Sequence, residues 1–282
     1  MPELPEVETV ANGVHVRIHG QTIHEVWTSN KPQTFKSSPE TIVETLTGAR
    51  IERVRRVGKT IVIDLLRDKK PAQFLVHLGM TGRLLVSATD VPVPPHTHAI
   101  LSLSGGPQRK QQELRFVVAR RFGRLSVLSA EEMAAGETVG YTGSGKEPLT
   151  IEPEEFIALF RGRQTPIKAA LLNQSLLQGV GNIYADEGLF RAGIRPRRQA
   201  ARLTRAELTR LRQALIDVLT HAIQLGGSSV SDYVDADGVR GFFQLELRVY
   251  LRTGEPCLVC KTPIQRILVG GRGTHFCPVC QR

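Results

Sequence analysis

All four cysteines of this 282-residue chain fall near its end, as Cys257-x2-Cys260 and Cys277-x2-Cys280. Thiolates two residues apart on each of two knuckles can meet tetrahedrally around one Zn²⁺, and the stretch between the knuckles suits a β-hairpin. Four thiolate ligands close the coordination sphere, so the expected metal is a single structural zinc with no open position for a reactive water. A pair of disulfides is the competing reading, disfavoured in a chain that opens without a charged-then-apolar leader. Pro256-Cys257-x2-Cys260 also matches half of the zinc signature of nucleobase deaminases, but no His in the chain is followed two residues later by Glu, which that chemistry needs.

The second chemical candidate stands at the other end. The chain opens Met1-Pro2-Glu3-Leu4-Pro5-Glu6-Val7-Glu8, and a small second residue lets the initiator methionine be trimmed. Pro2 then carries a free secondary amine, and an α-amine with a reference pKa near ~8 is partly neutral and nucleophilic at physiological pH. Attack on a sugar C1′ would give an iminium, an electron sink that acidifies the C2′ proton, with Glu3 adjacent to exchange protons. Pro-Glu at a terminus is common, so the dipeptide alone decides nothing.

The elements that position these groups follow from composition and patterning. Thirty-seven Lys and Arg against 27 Asp and Glu give a net charge of +10 and a pI near 9.8, which favours a polyanion: nucleic acid first, anionic membrane second. The longest apolar runs, such as 61–66 and 74–78, are far shorter than the ~20 residues of a membrane span, so the expectation is a cytoplasmic protein with no membrane partner. With 41% apolar and 23% charged residues the chain can bury ordinary cores, and its length suits two domains. Up to about residue 135 the apolar residues alternate in short runs (51–57, 60–66, 99–103, 114–118), which predicts strands behind one leading helix. A Gly/Ser/Thr-rich stretch over 136–150 reads as a hinge. Beyond it, helical periodicity predicts helices over 153–161, 167–177, 183–192 and 205–225, Gly226-Gly227 stop the last, and alternation predicts a short strand over 245–251. The expected fold is α+β: a catalytic β-sandwich over 1–135, a helical DNA-binding domain over 151–245, and a zinc finger over 246–282.

Several further segments, in order, extend what the first eight residues begin: Arg55-Arg56-Val57-Gly58-Lys59, His77-Leu78-Gly79-Met80-Thr81-Gly82, Ala119-Arg120-Arg121-Phe122-Gly123, Leu171-Leu172-Asn173-Gln174 with Gly179-Val180-Gly181-Asn182-Ile183-Tyr184-Ala185, and Gly271-Arg272-Gly273-Thr274-His275-Phe276-Cys277. Together they resemble the formamidopyrimidine-DNA glycosylase family over essentially the whole chain. The resemblance implies excision of oxidised purines (8-oxoguanine, formamidopyrimidines) from duplex DNA through a Pro2 Schiff base, with strand cleavage by β,δ-elimination. It makes Glu3 the proton donor for base release, Glu6 a support in the pocket, Lys59 the lysine that assists β-elimination, and Arg272 a finger-tip arginine that binds phosphate and helps δ-elimination. Met80, Arg120 and Phe122 would fill the gap left by an everted base, although apolar patterning alone would put Met80 and Phe122 in a core. His96, Arg121, Arg163, Lys168 and Asn182, with Arg120, would contact DNA. The helices around 171–185 resemble a helix-two-turns-helix, and 233–244 resembles the loop that covers 8-oxoguanine. The partners implied are duplex DNA with oxidised bases or abasic sites, bound by a monomer at the nucleoid. Two other readings stay open: an endonuclease VIII-like enzyme for oxidised pyrimidines, and a non-catalytic zinc-finger DNA binder, which accounts for charge and cysteines but not for the N-terminus. Val118-Ala119, Asn173 and Gly145-Lys146 depart from the family pattern and bear on loop support.

Overall fold

Leu4, Val7, Val10, Ala11, Val14 and Ile18 recur at helical spacing and are all buried in α1 (Leu4–Ile18), whose first turn admits Pro5 because that residue's missing N–H has no helical acceptor to satisfy. The computed structural model describes residues 1–104, 111–120, 122–135, 144–230 and 233–282. The chain divides into two compact units, Met1–Thr142 with Gly226–Gly241, and Gly143–Leu225 with Phe242–Arg282.

In the first unit α1 is followed by β1 (Ile23–Thr28), α2 (Pro39–Leu46), β2 (Arg50–Val57), β3 (Thr60–Arg67), β4 (Lys70–His77), β5 (Arg83–Ala88), β6 (Thr97–Leu103), β7 (Gln112–Val117), β8 (Arg124–Leu128) and α3 (Ala130–Ala134). Two four-stranded antiparallel sheets form, in the orders β2-β3-β4-β8 and β1-β6-β7-β5. Ile61, Ile63 and Leu65 of β3 share one core with Leu84, Ala99, Leu101 and Leu114 of the other sheet and with α1, so the two sheets sandwich a common interior. Val62 points the other way and packs with Leu75, Leu128 and Met133 of α3. Covered on both faces at its start, β3 carries three consecutive buried apolar residues, Ile61, Val62 and Ile63, where a one-sided strand would alternate.

The second unit contains α4 (Pro153–Phe160), α5 (Ile167–Leu171), α6 (Asn182–Ala192), α7 (Arg205–Gln224) and a hairpin of β9 (Gln265–Val269) and β10 (Arg272–Phe276). Leu208, Leu211, Leu215, Val218 and Leu219 form the buried stripe of α7. Helix α5 ends at Leu171, short of the expected residue 177. The side-chain amide of Gln174 donates to the carbonyls of Leu172 and Val180 and accepts from Gly179 N–H, and Asn173 Oδ1 accepts from Ser175 N–H, so side chains replace the helical ladder there. No strand forms over 245–251. The amides of Arg248, Val249 and Tyr250 donate to the buried carboxylate of Glu187 on α6 at 2.9–3.1 Å, leaving none for a neighbouring strand.

Gly226 and Gly227, with φ of 74° and 81°, end α7 as expected. The residues after them, read from the sequence as part of the 151–245 stretch, pack with the first unit. The expected hinge at 136–150 lies partly outside the described residues; from Gly145 on, the chain bonds to Gln174 and Leu176 in the second unit. No helix among the described residues is long and apolar enough to cross a membrane.

Glu187→Ala strips three backbone donors and Arg191 of their acceptor. The expected outcome is a loss of about 3 kcal/mol in stability, by analogy with breaking a buried charge network, seen as a lowered denaturant midpoint with the slope unchanged.

Candidate active site and nucleic-acid interface

Glu3 is the N-cap of α1 and forms a capping box with Glu6: the Glu3 amide donates to Glu6 Oε2 at 2.8 Å. The other Glu6 oxygen accepts from Ser228 N–H at 2.7 Å. Pro2 is buried, Glu3 is 4% exposed and Glu6 2%, whereas Met1 is exposed. The Tyr233 hydroxyl donates to the Glu6 carbonyl, and burial, with the Glu6 charge beside it, pushes its ionisation well above the ordinary phenol range. A Cβ at Gly227 would lie 3.0 Å from Glu6 Cγ and Oε1, so only glycine admits this approach. The segment carrying Gly227, Ser228 and Tyr233 is thereby fastened to the first turn of α1. It is held again by the Arg17–Asp237 ion pair and by Val86 N–H donating to Ala236 O.

Lys59 sits in the two-residue turn between β2 and β3. Arg56 ties this turn to α1, its Nε reaching Glu8 Oε2 at 2.6 Å and a second nitrogen the Gly58 carbonyl at 3.1 Å. His77, given no role by the sequence, belongs to the same neighbourhood: it pairs across β3 with Thr60 and across β8 with Arg124. Burial, with Lys59 and Arg124 nearby, lowers its pKa to about 4. Gly79 N–H donates to His77 Nδ1 at 3.1 Å, so the neutral ring carries its proton on Nε2.

Met80 and Phe122 are not core residues, at 37% and 54% exposed. Gly79, at φ 65°, packs so closely that a Cβ there would lie 2.4 Å from the Phe122 carbonyl carbon, and Arg120 N–H donates to Thr81 Oγ1. The two loops therefore pack against each other, and Met80, Arg120 and Phe122 are all exposed on them. Val118, a departure from the family pattern, is buried in the core behind them. Arg121 lies outside the described residues. His96 is exposed at the head of β6 with φ 65°, its carbonyl accepting from Val118 N–H.

In the second unit Arg163 is exposed just after α4, with its Nε on the Leu159 carbonyl. Asn182 opens α6, and its Nδ2 donates to Gly273 O at 3.0 Å, which brings it beside the strand that begins with the exposed Arg272. Lys168 departs from its expected place on the DNA backbone. It is fully buried, 2.7 Å from Asp186 Oδ1, and donates to Gly273 O and Thr274 Oγ1, so it braces the hairpin instead of reaching out to a phosphate.

The sulfurs of Cys257, Cys260, Cys277 and Cys280 lie within 4.8 Å of one another, with individual pairs at 3.4 and 3.9 Å. A disulfide needs about 2.05 Å. Zn–S bonds of about 2.3 Å arranged tetrahedrally require edges near ~3.8 Å, so the four thiols fit one structural zinc.

Comparison with known proteins supplies the family. The model described as the formamidopyrimidine-DNA glycosylase N-terminal domain matches residues 1–125, that of the H2TH domain residues 145–234, and that of the zinc finger found in FPG and IleRS residues 254–282. The chain is 43% identical over 282 residues to the formamidopyrimidine-DNA glycosylase of Solibacter usitatus, and 39% over 284 residues to that of Listeria monocytogenes, with complete coverage of both partners in each pair. Among solved structures it is similar to Lactococcus lactis Fpg in complex with abasic-site DNA, at TM-score 0.87 and 34% identity over 99% of each chain. A mutant of the same Lactococcus protein bound to Fapy-dG DNA matches with TM-score 0.87 over 100% of each chain.

The depressed His77 pKa has a sign that can be checked. Between its ordinary value of 6.5 and about 4 the unfolded chain binds a proton that the folded one refuses, so this group's contribution is lost as pH falls through that window. Melting temperatures of His77→Gln should therefore fall less steeply than those of the parent between pH 6.5 and 4; parallel slopes would contradict the assignment.

Proposed function

The chain belongs to the formamidopyrimidine-DNA glycosylase family, and from that membership together with the site geometry we propose that Pro2 is its nucleophile and Glu3 its proton donor. The protein is a bifunctional DNA glycosylase and AP lyase that removes oxidised purines in base excision repair. One observation carries the assignment of residues: Pro2 and Glu3 are both buried at the head of α1, where the Glu6 carboxylate holds the Glu3 amide, and removal of the exposed Met1 would free the Pro2 secondary amine at that place.

The neutral Pro2 nitrogen attacks C1′ as the bond to the damaged base breaks, and Glu3 supplies the proton the departing base needs. The attached nitrogen gives up its proton, O4′ takes one up, and opening of the C1′–O4′ bond leaves an iminium at C1′ and a hydroxyl at C4′. That cation acidifies the C2′ proton, whose loss breaks the bond to the 3′ phosphate; loss of the C4′ proton then breaks the bond to the 5′ phosphate. Lys59, on the turn that Arg56 ties to Glu8, assists the first elimination, and Arg272 the second. Lys59, His96, Arg120, Arg121, Arg163, Asn182 and Arg272 supply contacts to DNA, with Met80, Arg120 and Phe122 occupying the gap left by the everted base. His77 joins them as a neutral donor beside Lys59. Zinc, held by the four cysteines, fixes the knuckles that carry the Arg272 hairpin and takes no part at the sugar. The working form is a monomer in the cytoplasm at the nucleoid, and the net positive charge supports its contact with DNA.

Glu3→Gln separates the two activities. Base excision from an 8-oxoguanine duplex should fall by about 10²-fold or more, the scale of a lost general acid, while cleavage at a preformed abasic site, where no base leaves, should stay within about threefold. Equal losses on both substrates would contradict the role given to Glu3.

A further inference from the structure

A buried ionic node joins α5 and α6 to the finger hairpin, and the reaction scheme leaves it without a role. Lys168 and Asp186 have fully buried side chains 2.7 Å apart. The Lys168 ammonium donates to Gly273 O at 3.0 Å and to Thr274 Oγ1 at 2.8 Å, and that hydroxyl donates in turn to Arg272 O at 3.0 Å. The other Asp186 oxygen accepts from His275 N–H at 2.8 Å and lies 3.2 Å from His275 Nδ1. Asn182, one turn earlier on α6, adds its bond to Gly273 O. The backbone from Arg272 to His275 is thus gripped by side chains of two helices as well as by its partner strand β9.

Stability alone is a poor reason for such a node. Desolvating an ammonium and a carboxylate costs several kcal/mol each, and well-packed apolar residues of similar volume often stabilise a fold as well or better. What an ionic pair supplies and an apolar pair cannot is direction: each donor and acceptor here ends on a particular backbone or hydroxyl atom of residues 272–275. The ladder with β9 fixes one edge of β10, and at the hairpin tip, bordered by Gly271 and Gly273, the node fixes the other.

We infer that Asp186 is a positioning residue for Arg272: through Lys168 and the His275 amide it sets the backbone from which Arg272 reaches the DNA, and it holds that backbone in register with Asn182 at the start of α6. The inference rests on the role given to Arg272 above, in the step where C4′ loses a proton and the C5′–O bond breaks to release phosphate.

The test is a double-mutant cycle of Asp186→Asn with Arg272→Ala in the zinc-loaded full-length protein, on a duplex bearing one abasic site, reading the ratio of β,δ- to β-elimination products. A parallel assay follows base excision on an 8-oxoguanine duplex. Arg272→Ala should lower the product ratio by about tenfold or more, the scale of losing one charge-stabilising group. Asp186→Asn should lower it in the same direction by at least about fivefold, with zinc content retained and base excision within about twofold, and the double variant should be no worse than Arg272→Ala, because residues acting through one contact are not additive. Multiplying effects, or an unchanged ratio in Asp186→Asn, would overturn the inference. Should Asp186→Asn lose zinc, Lys168→Met with Asp186→Leu, which removes both charges at similar volume, takes its place in the cycle under the same criteria. An unchanged ratio in Arg272→Ala alone would remove Arg272 from the second elimination and the inference with it, whereas a parent protein that cleaves neither duplex would instead remove the functional reading.

Discussion

The carboxylate of Glu6 is the constraint from which the active-site end of the first unit follows. One oxygen takes the Glu3 amide and so sets the first turn of α1; the other takes the Ser228 amide and so fixes where the chain returns after α7. Both donors are buried, and an unsatisfied buried donor costs about 1–3 kcal/mol, so an apolar residue at position 6 would release both ends together. Gly227 leaves the space that lets Ser228 approach, and Tyr233 adds a hydroxyl to the Glu6 carbonyl. Glu3 and the returning segment are therefore mutually positioned by one side chain, and the Glu8–Arg56 pair extends that order to the Lys59 turn.

The second unit solves a similar problem in the same way. Segments that cannot enter a helix or sheet still carry backbone donors that must be satisfied. Glu187 collects three consecutive amides of the chain entering the zinc finger, and Asp186, its neighbour on α6, collects one from β10 within it. Buried acids of two helices, Glu6 in the first turn of α1 and Asp186 and Glu187 in the second turn of α6, thus serve as acceptors for chain outside the helices. Cys257 and Cys277 pack with Phe190 of α6 and with Val249, so the zinc knuckles are set against the same helix.

Much of this was legible in the sequence, and what was not has a common physical origin. Cysteine spacing is a local signal and led directly to the four-sulfur cluster. Alternation exposed the strands of the sandwich, and the stripe on α7 exposed that helix. Three features escaped because each depends on a partner distant in sequence. Leu245, Leu247, Val249 and Leu251 alternate like a strand, but their stretch gives its amides to Glu187. Lys168 looks like one more surface cation in a basic chain, and only the fold reveals Asp186 against it. His77 gains its character from cross-strand register with Thr60 and Arg124. Met80 and Phe122 illustrate the opposite case: patterning assigns them to a core, family likeness assigns them to a surface, and they are exposed.

The central claim is that the reacting nitrogen is the chain's own secondary amine at Pro2, and not a lysine, a hydroxyl or a metal-bound water. Borohydride reduction during turnover on 8-oxoguanine duplex DNA converts an iminium to a stable amine, and peptide mapping of the crosslinked protein locates the nitrogen. The account predicts one crosslink, on Pro2, abolished in protein that retains Met1, because a tertiary amide nitrogen has no available lone pair for C1′. A crosslink on Lys59, or one that persists with Met1 in place, would contradict it.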